Sequence, residues 1–374
     1  MNLVVSKAGS ALIGYLYGVS DRAGAPDKED SGIVAKIQKW LEESLMLSFI
    51  EYIFEFEPDV IVNTHFLGLK VISHMRRKLP KTFQVPQVCA VTDFDVHSFW
   101  ACQPCERFFV ARNSGRLTLA HHGVDPESVT VTGIPIVPAF AAVKGKTECL
   151  KMLDLEGPAQ GKKVVLLMSG GNDVLDVYDQ LLSCKTPLQI VIVCGRQADV
   201  RSKLAKVPVP AKHASKLEGF TRVMHQYLSA ADVIITKPGG LTTAEALATG
   251  TVMAVVNPLP GQELRNADMI LEGGAGIKVN DTFLLAHKLD RIFNDEGGRR
   301  FARMQSCAKA LGLRHLGAAK TVADYVLTST FSAMVLPPSR QGSGVKSAPG
   351  SPKKKKGGAP VHCMSLTPAN GLED

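Results

Sequence analysis

A chain of 374 residues, 45% of them hydrophobic, is long enough for two domains of ordinary size, each with its own core. The formal charge is +8, but residues 331–374 hold six basic residues (Arg340, Lys346 and Lys353 to Lys356) against Glu373 and Asp374, so half the excess lies in that tail. The modest charge left on the body argues against a nucleic-acid partner and leaves attraction to an anionic membrane surface open.

Eight cysteines are scattered through a chain without a signal-peptide pattern, which predicts free thiols and not a disulfide framework. Cys102-Gln-Pro-Cys105 is a lone CxxC with no second pair at zinc spacing, so a structural role is expected ahead of metal or redox use. No apolar run reaches the roughly 18 residues that span a bilayer, and membrane contact is expected to be peripheral.

The first 30 residues read as a small apolar start and a loop. From Ile33 to Phe56 apolar residues recur at intervals of three or four, as on a core-facing helix, although SLMLSFIEYIFEF could also lie in a membrane interface. DVIVNTHF is a short buried strand ending in polar residues, with His65 directed at a cleft, and Leu67 to Lys78 is the following helix. VPQVCAVTDFDVHSFW repeats the scheme, placing Thr92, Asp93, Asp95 and His97 after a strand, where ligands of open α/β sheets sit. ERFFVA and SVTVTG are further strands around the helix RNSGRLTLAHHG. This alternation predicts a parallel sheet covered by helices, ending near Phe140, with residues 141–160 as a connection carrying a small helix.

A second series begins at GKKVVLLMSGGND, where a strand runs into Ser169, Gly170 and Gly171, residues that let backbone approach a ligand closely. Neither GxGxxG nor a Walker A sequence occurs, so dinucleotide binding and ATP hydrolysis are not favoured. LQIVIVCGRQ ends at Gly195, KLEGF contains Gly219 and Phe220, and the helix RVMHQYLSAA leads to the strand DVIITK. The stretch TKPGGLTTAEALATGTVMAVVNPLPGQELRN is then one βαβ step, with Thr242 expected to cap a helix starting near Thr243. Backbone N–H groups and the positive end of the dipole at such a helix start favour an anion such as a diphosphate. A strand AGIKV and helices near 281–294 and 298–328 follow, and from about Ser332 the chain is too poor in apolar residues to fold alone.

MSGG, VCGR, EGF, TKPGGLTTAEALATG and NPLPGQELRNADMILEGGAG, in this order, resemble the monogalactosyldiacylglycerol synthase and processive diacylglycerol glycosyltransferase family, which is related to the lipid I N-acetylglucosaminyltransferase of bacterial wall synthesis. VTDFDVHSFW, FFVA and VTGIPIVPAF are similar to the same family, and the resemblance covers roughly residues 58–328. It implies an α/β GT-B fold: two Rossmann-like domains, 1–140 on the acceptor side and 161–330 binding a UDP-sugar, with parallel sheets facing across a cleft; residues 331–374 are expected from their composition to be a disordered basic tail. It implies inverting transfer of galactose or glucose from UDP-galactose or UDP-glucose to diacylglycerol, with no metal and no cofactor. The setting would be peripheral, on the cytosolic face of a membrane or on a plastid envelope membrane.

Carried onto matching positions, the resemblance places the diphosphate at Ser169 to Gly171 and at Gly239, Gly240, Leu241 and Thr242, with Gly195 nearby and Lys237 adding charge. Gly219 and Phe220 would flank the uracil, Glu245 would bind the ribose hydroxyls, Gln262 and Glu263 would contact the sugar, and Asn266 would support their loop. A carboxylate accepts two hydrogen bonds from a vicinal diol, and backbone donors stabilise departing UDP, so the chemistry agrees.

The family's N-terminal Gly-rich loop with a His does not occur here, so the N-terminal domain is expected to lack its first βα unit. That leaves Asp93, with His97, as the candidate base for the acceptor proton. Transfer to another lipid such as a polyprenyl carrier, a non-catalytic nucleotide-sugar-binding chain, and, ranked lower, a hydrolysing UDP-sugar epimerase are the alternatives.

Overall fold

The computed structural model describes residues 49–81, 83–168 and 174–329. The expected helix from Ile33 is seen only over 49–56, where Ile53 is buried and Phe49, Ile50 and Phe54 pack with it against Phe83. This part of the amphipathic segment thus faces the core. The start of that segment, the first 30 residues, Ser169 to Gly171 and the basic tail lie outside the described residues.

The N-terminal sheet is parallel, in the order β1 (Ile61–Asn63), β2 (Gln87–Ala90), β3 (Arg107–Val110) and β4 (Val129–Val131). Helix α1 (Phe66–Lys78) follows β1, and α2 (Asn113–His121) follows β3. α1 begins where His65 Nδ1 accepts the Leu67 N–H at 3.2 Å, and ends in Arg76, Arg77 and Lys78, cations that suit the negative end of the helix dipole. All four residues of β2 are buried, as a central parallel strand covered on both faces requires.

Helix α3 (Lys146–Met152) lies in the connection, and its Cys149 packs with Leu166 and Val191 of the second sheet. Lys146 pairs with Asp232 at 2.6 Å while the other oxygen of Asp232 accepts the Val164 N–H at 2.8 Å, so the connection is fastened to the C-terminal domain. That domain is a six-stranded parallel sheet in the order β10-β9-β8-β5-β6-β7. Its chain order is β5 (Lys163–Met168), α4 (Val174–Ser183), β6 (Leu188–Val193), α5 (Ala198–Leu204), β7 (Ala214–Glu218), α6 (Met224–Ala230), β8 (Val233–Thr236), α7 (Gly240–Thr249), β9 (Val252–Val256), α8 (Gln262–Glu272) and β10 (Gly276–Val279). Alternate strand residues serve opposite cores: Leu166, Ile234 and Met253 on one face, Val165, Ile235 and Val252 on the other. This is why these strands read as continuous apolar runs.

The helices α9 (Leu285–Asn294), α10 (Arg299–Gly312) and α11 (His315–Thr328) complete the described chain. The single helix expected over 298–328 is two, broken at Leu313 and Arg314. The break lets α11 leave the C-terminal domain and lie on the N-terminal sheet, where Val322, Tyr325 and Val326 pack on Val88, Ala90 and Phe109. The Tyr325 ring meets Phe109 edge-on at 5.5 Å and carries the Arg107 guanidinium at 5.2 Å. At the base of α11, His315 Nδ1 accepts the Ile134 N–H at 2.8 Å, and burial lowers this histidine to about 4, keeping it neutral as an acceptor must be. The two domains are therefore tied by a helix that starts in one and ends on the other. Tyr325→Ala is expected to cost about 1–3 kcal/mol in urea unfolding through lost aromatic and cation–π contact.

Candidate functional site

The C-terminal sheet sets the place of the site by its topology. The chain enters at β5, steps outward to β6 and β7, then crosses back to β8 on the other side, so the order reverses between β5 and β8. In open α/β sheets ligands bind beyond the carboxyl ends of strands at such a switch point. β5 leads into Ser169 to Gly171, outside the described residues; β8 leads through Lys237 and Pro238 into α7.

α7 begins one turn earlier than the sequence suggests. Its cap is Gly239, which contributes no side-chain bond, and Thr242 is the third helical residue and not the cap. The glycine pair permits the early start, and the absence of a side-chain cap leaves the first-turn N–H groups available to a ligand. Gly240 is also fixed by space, because a Cβ there would overlap the carbonyl oxygen of Thr92 in the N-terminal domain. The two domains touch at the mouth of this helix.

On the facing loop Asp93 is 3% exposed. Its Oδ2 accepts from Trp100 Nε1 at 3.2 Å, while Oδ1 is buried without a hydrogen-bond partner and lies 3.6 Å from the position a Gly240 Cβ would take. Burial pushes this carboxyl up to about 7, with the Trp100 bond acting against it and Asp95 adding to it. His97, in contrast, is buried and accepts the Phe99 N–H on Nδ1 at 3.1 Å, capping the short 3₁₀ turn Ser98–Trp100. Its observed work is to shape the loop. His65 caps α1 and stacks on Phe66 at 4.4 Å.

The other residues singled out in the C-terminal half fall into two groups. Gly195 and Gly219 adjoin one another after β6 and β7, and the neighbouring Phe220 is 64% exposed with the Arg196 guanidinium 5.8 Å from its ring centre. The second group surrounds α7. Glu245 follows Leu241 by four residues and so shares its face of the helix. It is half-buried, without a hydrogen-bond partner among the described residues, and burial raises its carboxyl to about 7. Lys237 is half-buried at the end of β8. α8 starts at Gln262 after Gly261, whose φ of 98° is open to glycine alone. Glu263 Oε2 accepts the Leu259 N–H at 2.6 Å, so one of its oxygens is used to hold its own loop. Asn266 is fully buried, donating from Nδ2 to the Pro238 carbonyl at 3.0 Å and accepting the Phe94 N–H on Oδ1 at 3.3 Å.

Three of these contacts were invisible to sequence spacing: Trp100 to Asp93, Asn266 to Phe94, and the Arg265–Asp95 ion pair at 2.8 Å. The last two join residues about 170 positions apart, and no periodicity reports on such pairs. Cys102 and Cys105 are buried thiols donating to backbone carbonyls, and among the described residues no cluster of three or more His, Cys, Asp or Glu is arranged to hold a metal.

The raised Asp93 carboxyl has a consequence for stability. The folded protein keeps this proton up to about 7 whereas an unfolded aspartate loses it near 3.9, so the contribution is full below about pH 4 and is lost as pH rises to about 7. Asp93→Asn is therefore expected to raise the urea midpoint at pH 8, by up to a few kcal/mol in stability, with the difference from the parent shrinking toward pH 4.5.

Two family models match in tandem: monogalactosyldiacylglycerol (MGDG) synthase over residues 6–136 and the glycosyltransferase family 28 C-terminal domain over 171–314. The processive diacylglycerol beta-glucosyltransferases of Bacillus pumilus and Bacillus licheniformis are 32% and 30% identical over 69% of this chain, and in both cases the match spans 66% of the relative's length. Two solved structures share the fold at 14% identity: a Staphylococcus aureus MnaA–UDP co-structure (TM-score 0.56, covering 80% of this chain and 82% of that one) and the UDP-GlcNAc 2-epimerase of Neisseria meningitidis bound to UDP-GlcNAc (0.55, 81% and 84%). The architecture is GT-B, as the sequence implied, and the chain is built from a monogalactosyldiacylglycerol synthase domain followed by a glycosyltransferase family 28 C-terminal domain.

Proposed function

We propose that the chain transfers a hexose, glucose or galactose, from a UDP-sugar to the hydroxyl of diacylglycerol, with inversion, at a membrane surface. The observation that carries this reading is the open N-terminus of α7 at the switch point, faced across the domain boundary by the buried carboxyl of Asp93. The Bacillus diacylglycerol glucosyltransferases suggest the acceptor class, and the UDP and UDP-GlcNAc bound in the two solved structures suggest the UDP moiety. Among the described residues no helix is long and apolar enough to cross a bilayer, which fits attachment at a surface.

In this scheme the first-turn N–H groups of Gly240, Leu241 and Thr242 hold the diphosphate, with Lys237 beside them. Glu245 accepts two hydrogen bonds from the ribose diol, which would relieve a carboxyl now half-buried and unpaired. Phe220 offers an exposed face to the uracil between Gly195 and Gly219. Gln262 and the second oxygen of Glu263 read the sugar hydroxyls. Asp93 takes the proton from the acceptor hydroxyl as its oxygen bonds to the anomeric carbon; the bond from that carbon to the diphosphate oxygen breaks, and the charge on departing UDP meets the N-terminal end of α7. A base held at about 7 suits this task, since near neutral pH a substantial fraction is ionised and that fraction accepts a proton readily.

Purified chain incubated with diacylglycerol vesicles and radiolabelled UDP-glucose or UDP-galactose is expected to yield a hexosyl-diacylglycerol, with no product from polyprenyl acceptors and no epimerisation of UDP-GlcNAc. UDP binding without transfer to any lipid would replace this reading with a nucleotide-sugar-binding one. Turnover is expected to rise with pH through about 7 as Asp93 ionises. Asp93→Asn should lower kcat by about 100-fold or more and abolish that rise, and normal turnover by this variant would remove Asp93 from the mechanism. Glu245→Gln should weaken UDP binding roughly tenfold by calorimetry, the loss of about 1.4 kcal/mol in charge-assisted bonding to the diol.

A further inference from the structure

Asn266, expected to support the loop of Gln262 and Glu263, has both ends of its amide bonded to backbone on the two sides of the domain boundary. Nδ2 is committed to the Pro238 carbonyl, one residue before the cap of α7, and Oδ1 to the N–H of Phe94, one residue after Asp93. The side chain is fully buried, so both bonds are shielded from water, where such bonds matter most. One amide thus spans from the loop that opens the phosphate-binding helix to the loop that carries the candidate base. Its neighbour Arg265 adds a second tie at the surface, pairing with Asp95 at 2.8 Å with both side chains about a third exposed. Asp93 immediately precedes the two tied residues, Phe94 and Asp95, and its Oδ2 accepts from Trp100 Nε1.

We propose that Asn266 is a positioning residue which couples the donor loop Pro238–Thr242 to the Asp93 loop, so that occupancy of the donor site sets the placement of Asp93 and is felt at Trp100. The inference rests on the reading of α7 as a diphosphate site. An anion arriving at Gly239 to Thr242 enters the space beside Asp93 Oδ1, 3.6 Å from the Gly240 Cβ position, and must be accommodated by the carboxyl. With Phe94 tied through Asn266 to Pro238, the carboxyl responds in place and its bond to Trp100 changes. Without the tie the acceptor-side loop separates from the donor loop, and the response is lost although the donor loop still binds.

The chain has two tryptophans, and replacing Trp40 by Phe leaves Trp100 as the single reporter. In that background UDP is added while heat and Trp100 emission are followed on the same sample. The expected result is an emission change that tracks the calorimetric isotherm. In Asn266→Ala, UDP affinity should stay within about threefold while the emission change falls to under a third. Asn266→Asp, which keeps the acceptor for Phe94 and loses the donor to Pro238, should fall between. A full emission response in Asn266→Ala, or UDP heat in the parent with no emission change, overturns the coupling while leaving donor binding intact. No heat in the parent removes the donor site itself and the coupling with it. Should Asn266→Ala fail to fold, Arg265→Ala removes the surface tie to Asp95 with Asn266 left in place and is expected to halve the response; an unchanged response in that variant overturns the proposal.

Discussion

The contact between the Thr92 carbonyl and Gly240 governs the rest of this molecule. It brings the end of a strand loop in one domain against the first turn of a helix in the other, and it tolerates no side chain at Gly240. Everything proposed for the site depends on that proximity, because the helix supplies donors for negative charge and the loop supplies a carboxyl. The surrounding ties serve the same end at different depths. Asn266 joins the loops in the interior, Arg265 and Asp95 at the surface, and His315 fixes Ile134 farther along the boundary.

That arrangement is held against an electrostatic cost. Asp93 and Glu245 are both carboxyls raised to about 7 mainly by burial, and among the described residues neither has a charged partner to offset its desolvation. Two such groups near one helix start are a poor choice for stability alone. They are intelligible as sites waiting for donors, a diol in one case and a hydroxyl in the other, since ligand hydrogen bonds would satisfy them. The stabilising side of the balance lies away from the cleft. It is found in the two apolar layers of the C-terminal sheet and in α11, whose Val322 and Tyr325 reach the N-terminal sheet.

Legibility in the sequence followed the range of the interactions. Parallel strands flanked by helices were readable because each buried strand is a local apolar run, and TKPGG to GQE was readable as a unit because its parts are neighbours in sequence. The misplaced cap of α7 has a local cause as well: a Thr before an apolar run suggests a cap, but two glycines can open a helix without one. The break at Leu313 and Arg314 was missed because both residues are compatible with a helix, and the chain turns there to satisfy packing on the other domain. His97 looked like chemistry because its type is suited to it; only the geometry shows its Nδ1 taken up by the Phe99 N–H.

The division between what was legible and what was not also explains why the fold alone leaves the reaction open. An epimerase and a UDP co-structure share this architecture at 14% identity, so two facing Rossmann-like domains are compatible with several fates for a UDP-sugar. In the proposed reading the helix start and the strand-end glycines serve to hold the nucleotide diphosphate. In that reading, what happens to the sugar would depend on which group stands opposite that helix. Here it is Asp93, held by Trp100 on one oxygen, without a hydrogen-bond partner among the described residues on the other, and followed by two residues tied to the donor half. In the proposed reaction that oxygen, 3.6 Å from the position of a Gly240 Cβ, is the one that takes the acceptor proton, so the N-terminal loop, and not the nucleotide half, would decide transfer.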